Sequence, residues 1–208
     1  MFYQLYSAPG VNPRQANPKV PVLLWLQGGP GASSQYGAFT EIGPIRIRNG
    51  TARLHHTAWN LFGHYIFVDS PLNVGFSFQG TDRLGPKQVN STDQATDHLI
   101  NFLVNFYDTW PELAQSQLIL TGESFAGHYI PVLANKILIN STLKFKLGAV
   151  AIGDGWTDPI NQINYYDTYL WSVGVVDRGF RDTCTWFQTN SIVNMYEGDF
   201  QKVPSFLL

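Results

Sequence analysis

Charge is scarce in this chain. Of its 208 residues only 13% are charged, and 13 Lys and Arg against 15 Asp and Glu leave a net charge of -2. The basic residues are scattered, so no long-range field draws in phosphate backbones or anionic lipids, and a nucleic-acid or membrane-surface partner is not expected. Long apolar runs are missing too. No segment approaches the roughly 20 residues that span a bilayer, and Met1-Phe2-Tyr3-Gln4-Leu5-Tyr6 has neither the charged start nor the cleavage site of a signal peptide. Cysteine is nearly absent: Cys184 alone cannot close an internal disulfide, which leans toward a reducing compartment. Repeats and low-complexity tracts are lacking, so neither a solenoid nor a disordered tail is expected. What the chain does have is apolar content, 44% of it. That suits a soluble globular protein with one substantial core, and the length argues for one domain.

The apolar residues are organised into short buried runs with abrupt ends. Val22-Leu23-Leu24-Trp25-Leu26 follows a proline-marked loop over 12–21 and stops at Gly28-Gly29-Pro30-Gly31, where the backbone must turn. Tyr65-Ile66-Phe67-Val68 ends at Asp69-Ser70-Pro71, Leu118-Ile119-Leu120-Thr121 at Gly122, and Ala149-Val150-Ala151-Ile152 at Gly153. Continuous apolar runs of this length predict parallel strands buried on both faces. Between them, Ala95, Leu99, Phe102, Leu103 and Phe106 recur at helical spacing over 93–107, with Ser91 or Thr92 as cap. Tyr129, Ile130, Leu133, Ile137 and Leu138 do so over 126–139. Strands alternating with helices predict a mostly parallel α/β sheet covered on both faces. After Asp158 the chain turns aromatic and polar, which predicts a helical insertion or lid over about 160–208 rather than a second domain.

Against the reducing compartment stand three glycosylation sequons, Asn49-Gly50-Thr51, Asn90-Ser91-Thr92 and Asn140-Ser141-Thr142. About two would arise by chance under so loose a pattern, so they weigh little alone.

The strongest chemical signal is Leu118 to Gly127, in which a buried strand breaks at Gly122, presents Ser124, and enters a helix through Ala126 and Gly127. This is the arrangement of a nucleophile elbow. A Ser on so sharp a turn needs small neighbours two before and two after, and the helix that starts behind it aims free amides at the oxygen. A bare match to this pattern is as often an ordinary strand-to-helix turn. A second loop, Gln27-Gly28-Gly29-Pro30-Gly31, follows an earlier strand, where a second oxyanion-hole amide belongs. It lacks the Lys and the spacing of a phosphate-cradling loop. No His, Cys or carboxylate cluster has metal-ligand spacing, so neither metal nor other cofactor is expected.

Four runs in order, WLQGGPGASS (25–34), VDSPLNVGFSF (68–78), TGESFAGHYIP (121–131) and AIGDGWTDP (151–159), resemble the serine carboxypeptidase family. Gln27 and the Gly-Asp-Gly at 153–155 are most similar to its vitellogenic-like and retinoid-inducible branches. The resemblance runs from Met1 to about Trp171 and implies an α/β-hydrolase fold, here one partial domain over 1–208. It further implies Ser124 as nucleophile, and the amides of Gly29 and Phe125 as the oxyanion hole. Gln27, the amide of Gly28, and Glu123 paired with Glu41 would then hold the C-terminal carboxylate of a peptide substrate. Two carboxyls sharing a proton cannot both ionise cheaply, so such a site favours acidic pH. On composition alone Glu41 reads as a surface acid. Gln27 replaces the Asn common in the family and adds a methylene to that contact.

His128, four residues past the nucleophile, lies along a helix face and is expected to be structural. Asp69 and Asp154 read as satisfied loop carboxylates, and His55-His56 has no partners nearby in sequence. The fold orders its triad Ser, Asp, His, yet the histidines are 55, 56, 64, 98 and 128. The resemblance thus implies a chain cut at both ends, inactive or nearly so alone, with the missing partner of Cys184 in the absent half. The full-length protein would be a lysosomal or secreted carboxypeptidase. An esterase or acyltransferase, or a silent peptide-binding form, remains open, as does the oligomeric state.

Overall fold

The computed structural model describes residues 1–80, 89–199 and 202–203. The chain forms two compact units, Met1–Gly155 and Trp156–Leu208.

The first unit is built on five strands: β1 (Tyr3–Tyr6), β2 (Val22–Leu26), β5 (His64–Val68), β6 (Gln117–Glu123) and β7 (Lys146–Gly153). They lie in the order β1-β5-β2-β6-β7, parallel except for β1, which runs antiparallel on the outer edge of β5. The all-apolar strands split by parity. Val22, Leu24, Leu26, Ile66 and Val68 enter one core cluster, while Leu23, Trp25, Tyr65 and Phe67 enter another on the opposite face. Each fully buried Leu or Ile contributes about 1.5–3 kcal/mol.

Helices α1 (Thr92–Thr109) and α2 (Ala126–Ile139) both pack into the first cluster, through Leu99, Phe102, Leu103 and Phe106 of α1 and Tyr129, Ile130, Leu133 and Ile137 of α2. Right-handed crossovers explain the shared face, because β5 to β6 and β6 to β7 step in the same direction across the sheet. The step from β2 to β5 goes the other way, so the 27–63 connection supplies the opposite face, with Ala38, Phe39 and Ile42 packed against Trp25 and Phe67. That face is therefore covered by a winding connection and not by a long helix. Ser91 is the cap of α1, its Oγ accepting from the Gln94 amide at 3.2 Å.

Two local features depart from the sequence reading. The 27–63 connection contains an unforeseen hairpin, β3 (Ile45–Arg48) and β4 (Thr51–Leu54), turned by Asn49 and Gly50 at φ 50° and 71°. Asn-Gly is the pair that two-residue hairpin turns prefer, because both residues must tolerate positive φ. Strand β7, expected to be buried on both faces, is largely exposed, with Val150 48% accessible. Among the described strands it pairs with β6 alone and forms the sheet's edge.

The second unit is helical: α3 (Pro159–Gln162), α4 (Tyr166–Ser172) and α5 (Arg178–Glu197). Its core gathers Ile163, Met195 and Val203 with Trp156, Ile160, Phe187 and Ile192. Asp177 caps α5 through the Phe180 amide, and Gly198 ends it in a left-handed conformation at φ 78°. The last positions of the region expected to be insertion or lid, 200, 201 and 204–208, lie outside the described residues. No helix among the described residues is long and apolar enough to cross a membrane.

Candidate active site

Parallel strands deliver their carboxyl ends to one edge of a sheet, and three adjacent ends meet here. Strand β2 runs into the Gln27–Ser34 loop, β5 into Asp69, and β6 into Ser124. Ser124 sits between β6 and α2 at φ 55°, the left-handed region that a non-glycine residue occupies at a cost of about 1–2 kcal/mol. The turn is held by the Ser124 amide donating to Gly153 O at 3.0 Å and by the Gly127 and His128 amides donating back to Ser124 O and Phe125 O. Its small neighbours are sterically required. A Cβ at Gly122 would stand 2.7 Å from the Ala126 Cβ, and one at Gly28 would stand 2.8 Å from the Ser124 Cβ and 2.9 Å from the Phe125 amide. The glycine loop and the Ser124 turn are therefore in van der Waals contact. Gly29 follows at φ 115°, a conformation that favours glycine.

Beside this turn three of the expected carboxylate-binding side chains meet. Gln27 Nε2 donates to Glu123 Oε1 at 2.6 Å, and Gln27 itself is 6% exposed. Glu41, at the end of a single wide turn over Gly37–Glu41, faces the same pair. Burial first, then the charge and hydrogen bond of Glu123, push the Glu41 carboxyl up from 4.5 to about 7; Asp154 adds to the rise and a hydrogen bond from Gln27 opposes it. The pair therefore retains a proton at mildly acidic pH, which gives it a donor for a third carboxylate. A cleft of about 440 Å³ opens alongside, bounded by Trp25, Glu41, Ile42, Trp59, Glu123 and Ile152.

Trp25 joins this cluster, although the motifs alone did not single it out. Its indole Nε1 donates to Gln27 Oε1 at 2.8 Å, which fixes the amide so that its nitrogen points at Glu123. The available signal was period two: residues 25 and 27 lie on the same face of one extended segment. Gly37 leaves room for this bond, since a Cβ there would lie 2.9 Å from Gln27 Oε1.

The histidines are placed as follows. His64 opens β5, at the end of the sheet away from Ser124, buried and with its Nδ1 accepting from the Ala8 amide. His55 is bonded to Gly43 O and Thr57, His56 is exposed in the adjoining turn, and His98 lies on α1. His128 packs against Phe125 with the rings tilted by 43° and their centroids 4.5 Å apart, and burial lowers its pKa. Among the described residues no side chain hydrogen-bonds the Ser124 hydroxyl, and no three His, Cys, Asp or Glu stand together as metal ligands. Asp69 is fully buried and satisfied by surrounding donors. Asp154 is exposed at φ 38°.

Comparison with known proteins gives the same direction. Residues 1–202 match the family model for serine carboxypeptidase. The chain is 39% identical over 175 residues to the venom serine carboxypeptidase of Apis mellifera, covering 82% of this chain and 37% of that protein. It is 36% identical over 216 residues to the probable serine carboxypeptidase CPVL of Homo sapiens, covering 93% and 44%. The solved structure of Kex1(delta)p, a prohormone-processing carboxypeptidase from Saccharomyces cerevisiae, superposes with a TM-score of 0.72 at 31% identity, over 85% of this chain and 40% of that one. The chain thus spans less than half the length of each of these proteins, and shares with the last a mostly parallel sheet flanked by helices, the α/β-hydrolase fold. A family match over residues 1–202, nearly its whole length, places this chain in the serine carboxypeptidase family.

Proposed function

We propose that this chain carries the acyl-transfer and carboxylate-recognition half of a serine carboxypeptidase, which releases C-terminal residues from peptides. The observation that carries the reading is the Gln27–Glu123–Glu41 cluster beside the Ser124 turn. A plain esterase has no use for a buried amide and a proton-sharing carboxyl pair next to its nucleophile, whereas a free peptide C-terminus needs neutral and cationic-like donors in place of water. Ser124 Oγ attacks the last peptide carbonyl, and the amides of Gly29 and Phe125 stabilise the oxyanion. Gln27, the Gly28 amide and the protonated partner of the Glu41–Glu123 pair grip the departing residue's carboxylate.

The general base lies outside the histidines described above, so the 208-residue polypeptide alone turns over negligibly. A lysosomal or secreted home fits this reading. Its support is the three sequons, of which Asn49 and Asn90 are exposed, and a relative named for venom.

The test is binding of blocked dipeptides by the purified chain, with and without Glu123→Ala. A free-carboxylate ligand should lose affinity at least tenfold while its C-terminal amide is unchanged. Equal loss for both would remove the carboxypeptidase assignment in favour of an esterase or acyltransferase. Fluorophosphonate labelling of Ser124 should be slow, since nothing activates the hydroxyl. Labelling at the rate of a complete serine hydrolase would refute that.

A further inference from the structure

Asp69 stands at the carboxyl end of β5, on the opposite side of β2 from Ser124. It is 0% exposed, and among the described residues no Lys, Arg or His forms an ion pair with it. A buried carboxylate without a cation persists only where hydrogen bonds satisfy it. Here they come from two loops at once. Asp69 Oδ1 accepts from Ser33 Oγ at 2.6 Å and from Gln35 Nε2 at 3.4 Å, both just past the glycine run. Asp69 Oδ2 accepts from the Phe76 amide at 2.9 Å. Ser33 Oγ in turn accepts from the Gln35 amide at 3.1 Å, and Ser77 Oγ donates to Asp69 O at 2.6 Å. The 69–77 loop is shaped around the carboxylate: a Cβ at Gly75, φ 54°, would stand 2.6 Å from Asp69 Cγ and 2.7 Å from Ser33 Oγ.

We propose that Asp69 is a positioning residue for the oxyanion hole, setting the height of the Gly28–Gly31 loop over Ser124 through Ser33. The assignment rests on the carboxypeptidase reading above. One end of that loop is held at Gln27, whose amide donates to Ser34 Oγ at 3.2 Å, and Gly28 touches the nucleophile turn. The span from Gly29 to Ala32, with Gly29 and Gly31 both at positive φ, needs a fixed point at its far end besides Ser34, whose Oγ donates to Trp25 O at 3.3 Å. Ser33 on Asp69 supplies it. An Asn at 69 turns one of two acceptors into a donor, which then faces either Gln35 Nε2 or the Phe76 N–H, so one of those donors loses its acceptor. Removing an oxyanion donor outright costs about 100- to 1000-fold in rate. Shifting it by a fraction of an ångström costs less, about tenfold.

The experiment compares two ligands on the purified 208-residue chain. A peptide boronic acid, read at equilibrium because no base speeds its addition, adds to Ser124 Oγ, whose proton passes to solvent, and directs a negative oxygen at the Gly29 and Phe125 amides. A blocked dipeptide with a free carboxylate reports instead on Gln27, Glu41 and Glu123. Asp69→Asn should weaken the boronate about tenfold and the dipeptide less than about twofold, with Ser33→Ala giving the same split and Ser33→Thr restoring wild-type affinity. Equal losses for both ligands, or none for either, would overturn the role of Asp69 while leaving the carboxypeptidase reading intact. Loss of cooperative unfolding in both Asp69→Asn and Ser33→Ala would also overturn it, by showing that the network only holds the fold. If wild-type protein binds neither ligand, the carboxypeptidase reading fails and the role of Asp69 falls with it.

Discussion

Glutamate 41 offers the sharpest check on the carboxylate site. With Glu41 lifted to about 7, the Glu41–Glu123 pair carries one proton below that pH and loses it above. A ligand carboxylate then meets two negative groups in place of one negative group and one donor. If binding requires that single proton, affinity falls tenfold per pH unit above about 7, reaching about 100-fold, or roughly 2.7 kcal/mol, by two units higher. Glu41→Gln fixes a neutral donor at the position and should abolish the dependence, leaving affinity flat from about pH 5 to 9. The amide-capped form of the same dipeptide should be insensitive to pH in both proteins. Calorimetric isotherms across that range, with circular dichroism to confirm folding at each pH, decide the matter. A wild-type affinity that stays level through pH 8.5, or a slope that survives in Glu41→Gln, would refute the shared proton. The same raised pKa links to stability: the folded state holds the proton more tightly than the unfolded chain, so the contribution is complete below about 4.5 and is lost as pH rises through about 7. Denaturant midpoints should therefore drop across that window in wild type, and less so in Glu41→Gln.

Trp25→Phe keeps the ring packing but strips the donor from Gln27 Oε1, which is buried; unfolding free energy should fall by about 1–3 kcal/mol and free-carboxylate dipeptides should bind more weakly by calorimetry. Gly122→Val forces a side chain against Ala126 and the backbone of β2, so about 3 kcal/mol of destabilisation is expected in urea titration, with no wild-type-like boronate binding. Ser91→Ala removes the cap of α1, and about 1 kcal/mol of unfolding free energy should be lost in urea titration.

Much of the architecture was legible because its determinants are local. A run such as Val22–Leu26 is apolar at every position, and only a strand between two covered faces buries all of it; the nucleophile turn imposes its size limits within two residues of Ser124, so Gly122 and Ala126 disclose it. The Asn49-Gly50 turn is equally local, and the same residues also spell a sequon. Other features depend on where strands lie in the sheet. Val150 is as apolar as Leu24, yet one is at an edge and the other at the centre, and no residue in either run encodes that difference.

The site divides in the same way. Chain order by itself marked Ser124 as the candidate nucleophile, with its glycine loop and the strands that carry them, since each is a short contiguous pattern. Tertiary structure alone decided that Gln27 meets Glu123 across 96 positions, that Glu41 is half-buried beside them, and that Asp69 bonds Ser33 from a neighbouring strand. The physical reason is that a carboxyl group's role is set by what surrounds it. An isolated Glu or Asp in a sequence reads as a solvated surface charge until the sheet's parallel strands bring their ends, and the donors on them, to the same place.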